Sequence, residues 1–488
     1  MKSLRDYLTV VDDHSQLTRL SGVDWDLEIG ALSDIARKHD RSCALLFDDI
    51  EGYDEGYRVV TNMFDTPLQA SLALGYEPTT SIRDAVLAHK EHVSVTETTP
   101  VETVDSGPVT ENVERGEAID LTDFPVPKWH RHDGGRYIGT ADLAVTRNAD
   151  TGELNAGTYR VQVHGPRTAT VYMSPGKDGR RNKDSYLDRD EPVPVILSVG
   201  QAPDLFCTAN HRLPEGVNEL EYAGARRGEP IEVIEGELTG LPISSRAEIV
   251  LEGHVYPDAD PVTEGPFGEW TGYYGSGTNE ELPLTVERVY HRDDPIITGY
   301  NNAITPSALT VIRSAAVMWD ELERTGIPGI GEVNAFMPNS CLRVISIDQQ
   351  YAGHSTQVGM QSVSLPSGAY HGRFTVIVDD DIDVFDWDEV KWAMTSRCDP
   401  VEDIHVVEDC WSTPLDPIIP PDKKRDGEFT NSRAVIDATR PYHWKDEFPE
   451  DATISRELEA EMLDRYGEAL FGSEEDVPTT PRPGSESR

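Results

Sequence analysis

Hydrophobic spacing changes character along the chain. Between residues 24 and 38, DWDLEIGALSDIARK sets Leu27, Ala31 and Ile35 four apart, the period of an amphipathic helix. The apolar run CALLFDDI, from Cys43, suits a buried strand. From Ser71, SLALGYEPTTSIRDAVLAHKEHV reads as two helices separated by a Gly-Tyr-Glu-Pro break. Alternation of this kind predicts an N-terminal α/β domain over residues 1–115. Its last part, from about residue 92, is rich in Thr, Val and Glu and reads as a connector.

Over residues 116–320 the spacing shortens. GTADLAVTRN, AGTYRVQVHG, TATVYMS, VPVILSVG, AEIVLEGHV and LPLTVERVYHR are β-type runs, punctuated by turn residues as in a barrel or sandwich. Alternation returns over 321–471, predicting a second α/β domain. CLRVISIDQQ and FTVIVDDDIDVF read as strands, and DWDEVKWAMTSRC as a helix capped by Asp386 or Asp388. A terminal amphipathic helix is expected on Ile454, Leu458 and Met462. Residues 472–488 lack core formers and are expected to be a disordered acidic tail. The fold class is therefore multidomain α+β.

Composition narrows the setting. The chain has 488 residues, enough for two or three cores. No run of eighteen apolar residues is present, so no membrane span is expected, and the N-terminus does not read as a signal peptide. A cytoplasmic location follows as the expectation. The five cysteines are scattered without a CxxC pair, suggesting neither a disulfide framework nor a thiolate zinc site. Net charge is −45, from 88 acids against 43 bases, only ten of them Lys. Such a surface repels nucleic acid and anionic membranes. Acids spread along the whole chain fit solubility in concentrated salt, hence a salt-loving organism.

Four stretches carry candidate chemistry. TEGPFGEW holds Glu264 and Glu269 across a Gly-Pro turn, where a carboxylate pair in a dry site would have one pKa raised. NAGTYRVQVHG places Asn155 and Arg160 where a loop enters a strand, with Thr158 and Gln162 on the Arg160 face. Arg160 beside two carboxylates would keep one ionised and leave the other able to take a proton. VYMSPGKDGRRNKDSY is locally basic, which favours an anionic ligand such as a phosphate. VNELEYAGARRGEP offers Glu219, and Asn155, Asp178 and Glu219 would form an oxygen-rich set for a hard divalent cation.

Together EGPFGEWTGYY, NAGTYRVQVH, EYAGARRGEPIEV, AEIVLEGHV, QQYAGH, DDDIDVFDWDEVKWAMTSRCDP and AVIDATRP resemble the UbiD family of decarboxylases, over about residues 45–445. The resemblance implies an N-terminal α/β domain, a central split β-barrel related to flavin reductases, and a C-terminal α/β domain. It implies prenylated FMN as cofactor and reversible, non-oxidative decarboxylation of an α,β-unsaturated or aromatic acid. Arg160, Glu264 and Glu269 match the family's catalytic network, with Glu269 as proton donor. Asn155, Thr158, Tyr159 and Arg160 would contact the flavin, and Lys177 and Arg433 its phosphate. The family binds that phosphate through a divalent metal, usually Mn2+, with K+ nearby, on an Asn, a His and a Glu. Asn155 and Glu219 match two of these. No His occupies the third place, where either Asp178 ligates or Lys177 neutralises the phosphate without a metal. A flavin prenyltransferase as cofactor supplier and a homodimer or homohexamer are also implied. The alternatives are an oxidoreductase using ordinary FMN and a non-catalytic UbiD-like subunit.

Overall fold

Ser3 opens the first helix, Leu4–Asp13, with a capping box: its hydroxyl accepts from the Asp6 amide, and the Asp6 carboxylate accepts from the Ser3 amide. The structure is a computed structural model and describes residues 1–39, 43–211, 213–214, 216–300, 305–337, 341–370, 372–452, 454 and 456–472. From residue 473 on, the expected disordered tail lies outside the described residues. Contacts divide the chain into two compact units. The first comprises Met1–Ala88, Ser94–Leu309 and Pro414–Pro417; the second comprises His89–Val93, Thr310–Thr413 and the chain from Ile418.

The first unit holds a four-stranded sheet in the order Leu17–Ser21, Ala44–Asp48, Arg58–Thr61, Ile296–Thr298. The helix expected over 24–38 forms as Glu28–Lys38 but turns a different face inward. Ile29, Ser33 and Arg37 are buried, while Ile35 is 54% exposed. The reason is polar. Arg37 donates to Asp65 at 2.8 Å and to Asn62 at 3.1 Å, and the Ser33 and Thr61 hydroxyls bond at 2.7 Å. A buried row of satisfied polar groups must stay inside once formed, and it sets the rotation of the helix.

The same unit carries a nine-stranded sheet, antiparallel at every pairing among the described residues. Its path runs Arg136–Gly139, Arg160–Gly165, Thr168–Tyr172, Leu284–His291, Ile249–Val255, Val193–Val199, Leu143–Arg147, Leu154–Gly157. Val161, Val163, Val171, Leu197, Leu251 and Val286 pack with Trp129 and Tyr137 into one core. The expected connector is built into the fold: Glu102–Thr103 pairs with Glu232–Glu235, and Asn112–Arg115 with Leu284–His291. Helices Asp178–Leu187, Pro203–Ala209 and Glu219–Arg227 lie in a stretch where only strands were expected.

In the second unit a five-stranded sheet runs Ile330–Met337, Leu342–Ile347, Phe374–Asp379, Thr430–Ala438, Ile404–Trp411. Its central strands are parallel, the first joined to the next through helix His354–Ser364. Asp386 caps helix Trp387–Ser396, accepting from the amides of Asp388 and Glu389. The terminal helix spans Arg456–Phe471, so Ile454 precedes it, and both Ile454 and Leu458 are exposed.

Candidate active site

Strand Arg160–Gly165 pairs with Thr168–Tyr172 in a register that sets Tyr172 opposite Arg160. The guanidinium carbon lies 4.3 Å from the centre of the Tyr172 ring, a cation–π contact that gains strength where water is excluded. Arg160 Nε and Nη2 donate to the two carboxylate oxygens of Glu264, each at 2.7 Å, and Nη1 donates to Glu269 Oε1 at 2.5 Å. The first pair is the fork a guanidinium makes best with a carboxylate. Both glutamates are buried.

The turn that delivers them is built from short-range geometry. Glu264 ends strand Val262–Glu264, which pairs with Asn279–Glu281. Gly265 has φ +84°, and a Cβ there would sit 2.6 Å from the Gly277 carbonyl oxygen, so a side chain fits neither the backbone nor the space. The Gly265 amide donates to Gln162 Oε1 at 2.8 Å, the Gly134 amide to the Pro266 carbonyl at 2.7 Å, and the Gly268 amide to Asp133 at 2.9 Å. Phe267 is buried with its ring centre 4.5 Å from that of Tyr137.

Tyr137 and Ser276, which the sequence did not single out, complete the cluster with Gln162. The Tyr137 hydroxyl donates to Gln162 Oε1 at 3.1 Å and lies 3.4 Å from Glu264 Oε1. Gln162 thereby ties that phenol to the start of the turn. Ser276 accepts from Arg160 Nη1 and donates to Glu269 Oε1, both at 3.0 Å. The signals were faint: Gln162 shares the Arg160 face, and Ser276 sits between two glycines.

Burial sets the electrostatics. It pushes the Glu269 carboxyl above its ordinary range; Arg160 pulls it back, and Glu264 pushes it further up. Arg160 is held above its ordinary value, the two carboxylates overcoming a desolvation that acts the other way.

A second cluster lies around Asn155. Its Nδ2 donates to Glu219 Oε1 at 3.3 Å, the Ala156 amide donates to Glu219 Oε2 at 3.0 Å, and the Tyr159 hydroxyl donates to Asn155 Oδ1 at 3.1 Å. The same phenol accepts from the Gly179 amide at 3.0 Å, in the first turn of helix Asp178–Leu187. Glu219 begins helix Glu219–Arg227, capped by Asn218, and burial raises its pKa. Thr158 donates to the Asp142 carbonyl at 3.1 Å. Asp142, also absent from the expected set, is fully buried, and burial pushes its carboxyl up to about 8.

Asp178 does not join Asn155 and Glu219. Its side chain is exposed and accepts from Arg181 instead, while Lys177, also exposed, stands at the N-cap position of the same helix without a capping bond from its side chain. Both Glu219 oxygens already accept an N–H, and no group of three His, Cys, Asp or Glu suited to a metal occurs among the described residues. The donors do not fit the expected divalent metal. Arg433 belongs to the second unit, where it is buried on strand Thr430–Ala438 and donates to the carbonyls of Ala369 at 2.8 Å, Gly372 and Trp411.

Three domains described for 3-octaprenyl-4-hydroxybenzoate carboxy-lyase match in sequence: the UbiD N-terminal domain over residues 8–88, the Rift-related domain over 102–303 and the C-terminal domain over 309–438. The chain belongs to the UbiD family. Curated UbiD relatives include the phenolic acid decarboxylases of Sedimentibacter hydroxybenzoicus, 28% identical over 90% of this chain and 92% of the relative, and of Bacillus subtilis, 27% identical over 90% and 93%. Among solved structures, vanillic acid decarboxylase from S. hydroxybenzoicus in its open form is 27% identical, with a TM-score of 0.82 over 96% of this chain and 99% of that one. The UbiD-class enzyme HmfF from Pelotomaculum thermopropionicum, in complex with FMN, is 28% identical, with a TM-score of 0.82 over 96% and 100%. An evolved dimeric form of HmfF, in complex with prFMN, is 27% identical, with a TM-score of 0.78 over 95% and 98%. Carboxy-lyase membership displaces the ordinary-FMN oxidoreductase considered from sequence.

Proposed function

We propose that this chain decarboxylates a phenolic or related unsaturated carboxylic acid, non-oxidatively and reversibly, with prenylated FMN on the central sheet and Glu269 as proton donor. The convergence of Glu264 and Glu269 on Arg160 carries the reading, and the activities named for its relatives set the substrate class. The nine-stranded sheet is taken as the split barrel, with Asn155, Thr158 and Tyr159 toward the flavin. The start of helix Asp178–Leu187, with Lys177 and Arg181 beside it, has donor chemistry suited to a phosphate.

Prenylated FMN, when bound, supplies an electron sink for the pair left as carbon dioxide departs. The protein's part follows from its hydrogen bonds. A guanidinium has five N–H donors; two go to Glu264, one to Glu269 and one to Ser276, leaving one on Nη2 to orient a substrate carboxylate. One cation faces two carboxyl groups, so a single proton held on Glu269, whose carboxyl burial pushes up, keeps the buried cluster neutral. That proton is delivered to the carbon that has lost its carboxylate; in the reverse direction the same carboxylate takes it back.

The test is co-expression with a flavin prenyltransferase, the proposed cofactor supplier, followed by a screen of vanillate, 4-hydroxybenzoate, 3,4-dihydroxybenzoate and cinnamate for carbon dioxide release. Turnover is expected only with the prenylated cofactor. Equal turnover on plain FMN, or none across the panel, defeats the proposal. Chelation with EDTA is expected to leave flavin binding unchanged. The charge of −45 adds a stability prediction. Raising KCl from about 0.1 M to about 1 M cuts the screening length from about 10 Å to 3 Å, so Tm should rise by several degrees in a thermal melt. A flat or falling Tm would remove the salt-adapted reading.

A further inference from the structure

The two oxygens of Glu269 are not equivalent. Oε1 accepts from Arg160 Nη1 at 2.5 Å and from the Ser276 hydroxyl at 3.0 Å, whereas Oε2 has no hydrogen-bond partner among the described residues. Ser276 is itself fixed from the other side, because its Oγ accepts from Arg160 Nη1 at 3.0 Å. A hydroxyl has one proton, and here its direction is set: it receives from the cation and gives to the carboxylate. The loop holding Ser276 is pressed into place at two points. A Cβ on Gly275 would lie 2.3 Å from the Leu415 carbonyl oxygen, and the Gly277 carbonyl meets Gly265.

We propose that Ser276 is a positioning residue: by clamping Oε1 of Glu269 it leaves Oε2 as the oxygen that carries and delivers the proton. This rests on Glu269 being the donor, and it adds which oxygen acts and what holds it. A serine hydroxyl also stabilises the ionised carboxylate more than the neutral acid, so it holds down a carboxyl that burial drives up. The other groups facing Glu269 are Arg160 from its strand, Glu264 across the turn, Tyr172 and Tyr137 behind Arg160 and Glu264, and the His130–Asp133 pair beside Gly268.

The test compares Ser276→Ala and Ser276→Thr in holoenzyme. A proton donor must be protonated to act, so kcat falls as pH rises through its pKa. Removing a hydrogen bond to the anion moves that alkaline limb upward, by about half a pH unit to one. Ser276→Ala should show this shift together with a several-fold lower plateau kcat and a KM within twofold of the parent; Ser276→Thr, which keeps the hydroxyl, should return the limb to its original place. The second readout needs no substrate: an infrared titration of the protein carboxyl band, assigned to Glu269 by its loss in Glu269→Gln, should shift in the same direction. An unmoved limb and an unmoved band in Ser276→Ala, or a Thr variant displaced like the Ala one, overturn the proposal. Retained turnover in Glu269→Gln would instead strike the proton-donor assignment itself, so the two failures are separable.

Discussion

Glu269→Gln should lose decarboxylation by about 100-fold or more while retaining flavin, the size expected when a positioned general acid is removed. The amide keeps the shape and still accepts from Arg160 Nη1 and Ser276, so the loop holding it stays in register. What it cannot do is surrender a proton. The measurement is single-turnover carbon dioxide release beside flavin absorbance on the same sample. Loss of both together would mean a disrupted fold; loss of release with absorbance kept isolates the chemistry. Turnover within tenfold of the parent would remove Glu269 from the role given to it here.

Arg160→Ala should be the most destabilising single change at the site. It leaves Glu264 and Glu269 facing each other, both buried and without their cation. Breaking a buried pair by removing one partner costs about 3–5 kcal/mol, because the charge left behind cannot return to water. The urea midpoint should fall accordingly, and the loss should be smaller at acid pH, where protonation removes the charge left buried. Arg160→Lys should regain part of the stability and little of the turnover, since an ammonium cannot fork to Glu264 and reach Glu269 together. A change below about 1 kcal/mol in the alanine variant would place the trio among exposed ion pairs of little consequence.

Much of the site was legible because its parts are local. Glu264 and Glu269 are five residues apart on a turn whose glycines and proline announce it, and Arg160 lies at the start of a strand that its alternation predicts. What remained hidden depends on partners distant in sequence. Ser276 matters only because the turns at Gly265 and Gly277 touch, and Tyr137 only because it reaches Gln162. The helix Glu28–Lys38 was expected with its apolar row inward; the buried bonds from Arg37 to Asp65 and Asn62, which no periodicity contains, rotate it. Asp178 looked like a ligand by position alone, yet Arg181 three residues on is a nearer partner for a side chain at a helix start.

The pairing of Asn112–Arg115 onto Leu284–His291 reaches beyond the fold itself. Anyone cutting this protein into pieces would be tempted to start a fragment near residue 116, where the texture of the chain changes. Such a piece would bare the edge of Arg288–His291 that now pairs with Asn112–Arg115, while its other edge stays bonded to Ile249–Val255, and unpaired ladder edges recruit other chains. A fragment begun at residue 94 or earlier carries its own cover and should stay in solution where the shorter one precipitates.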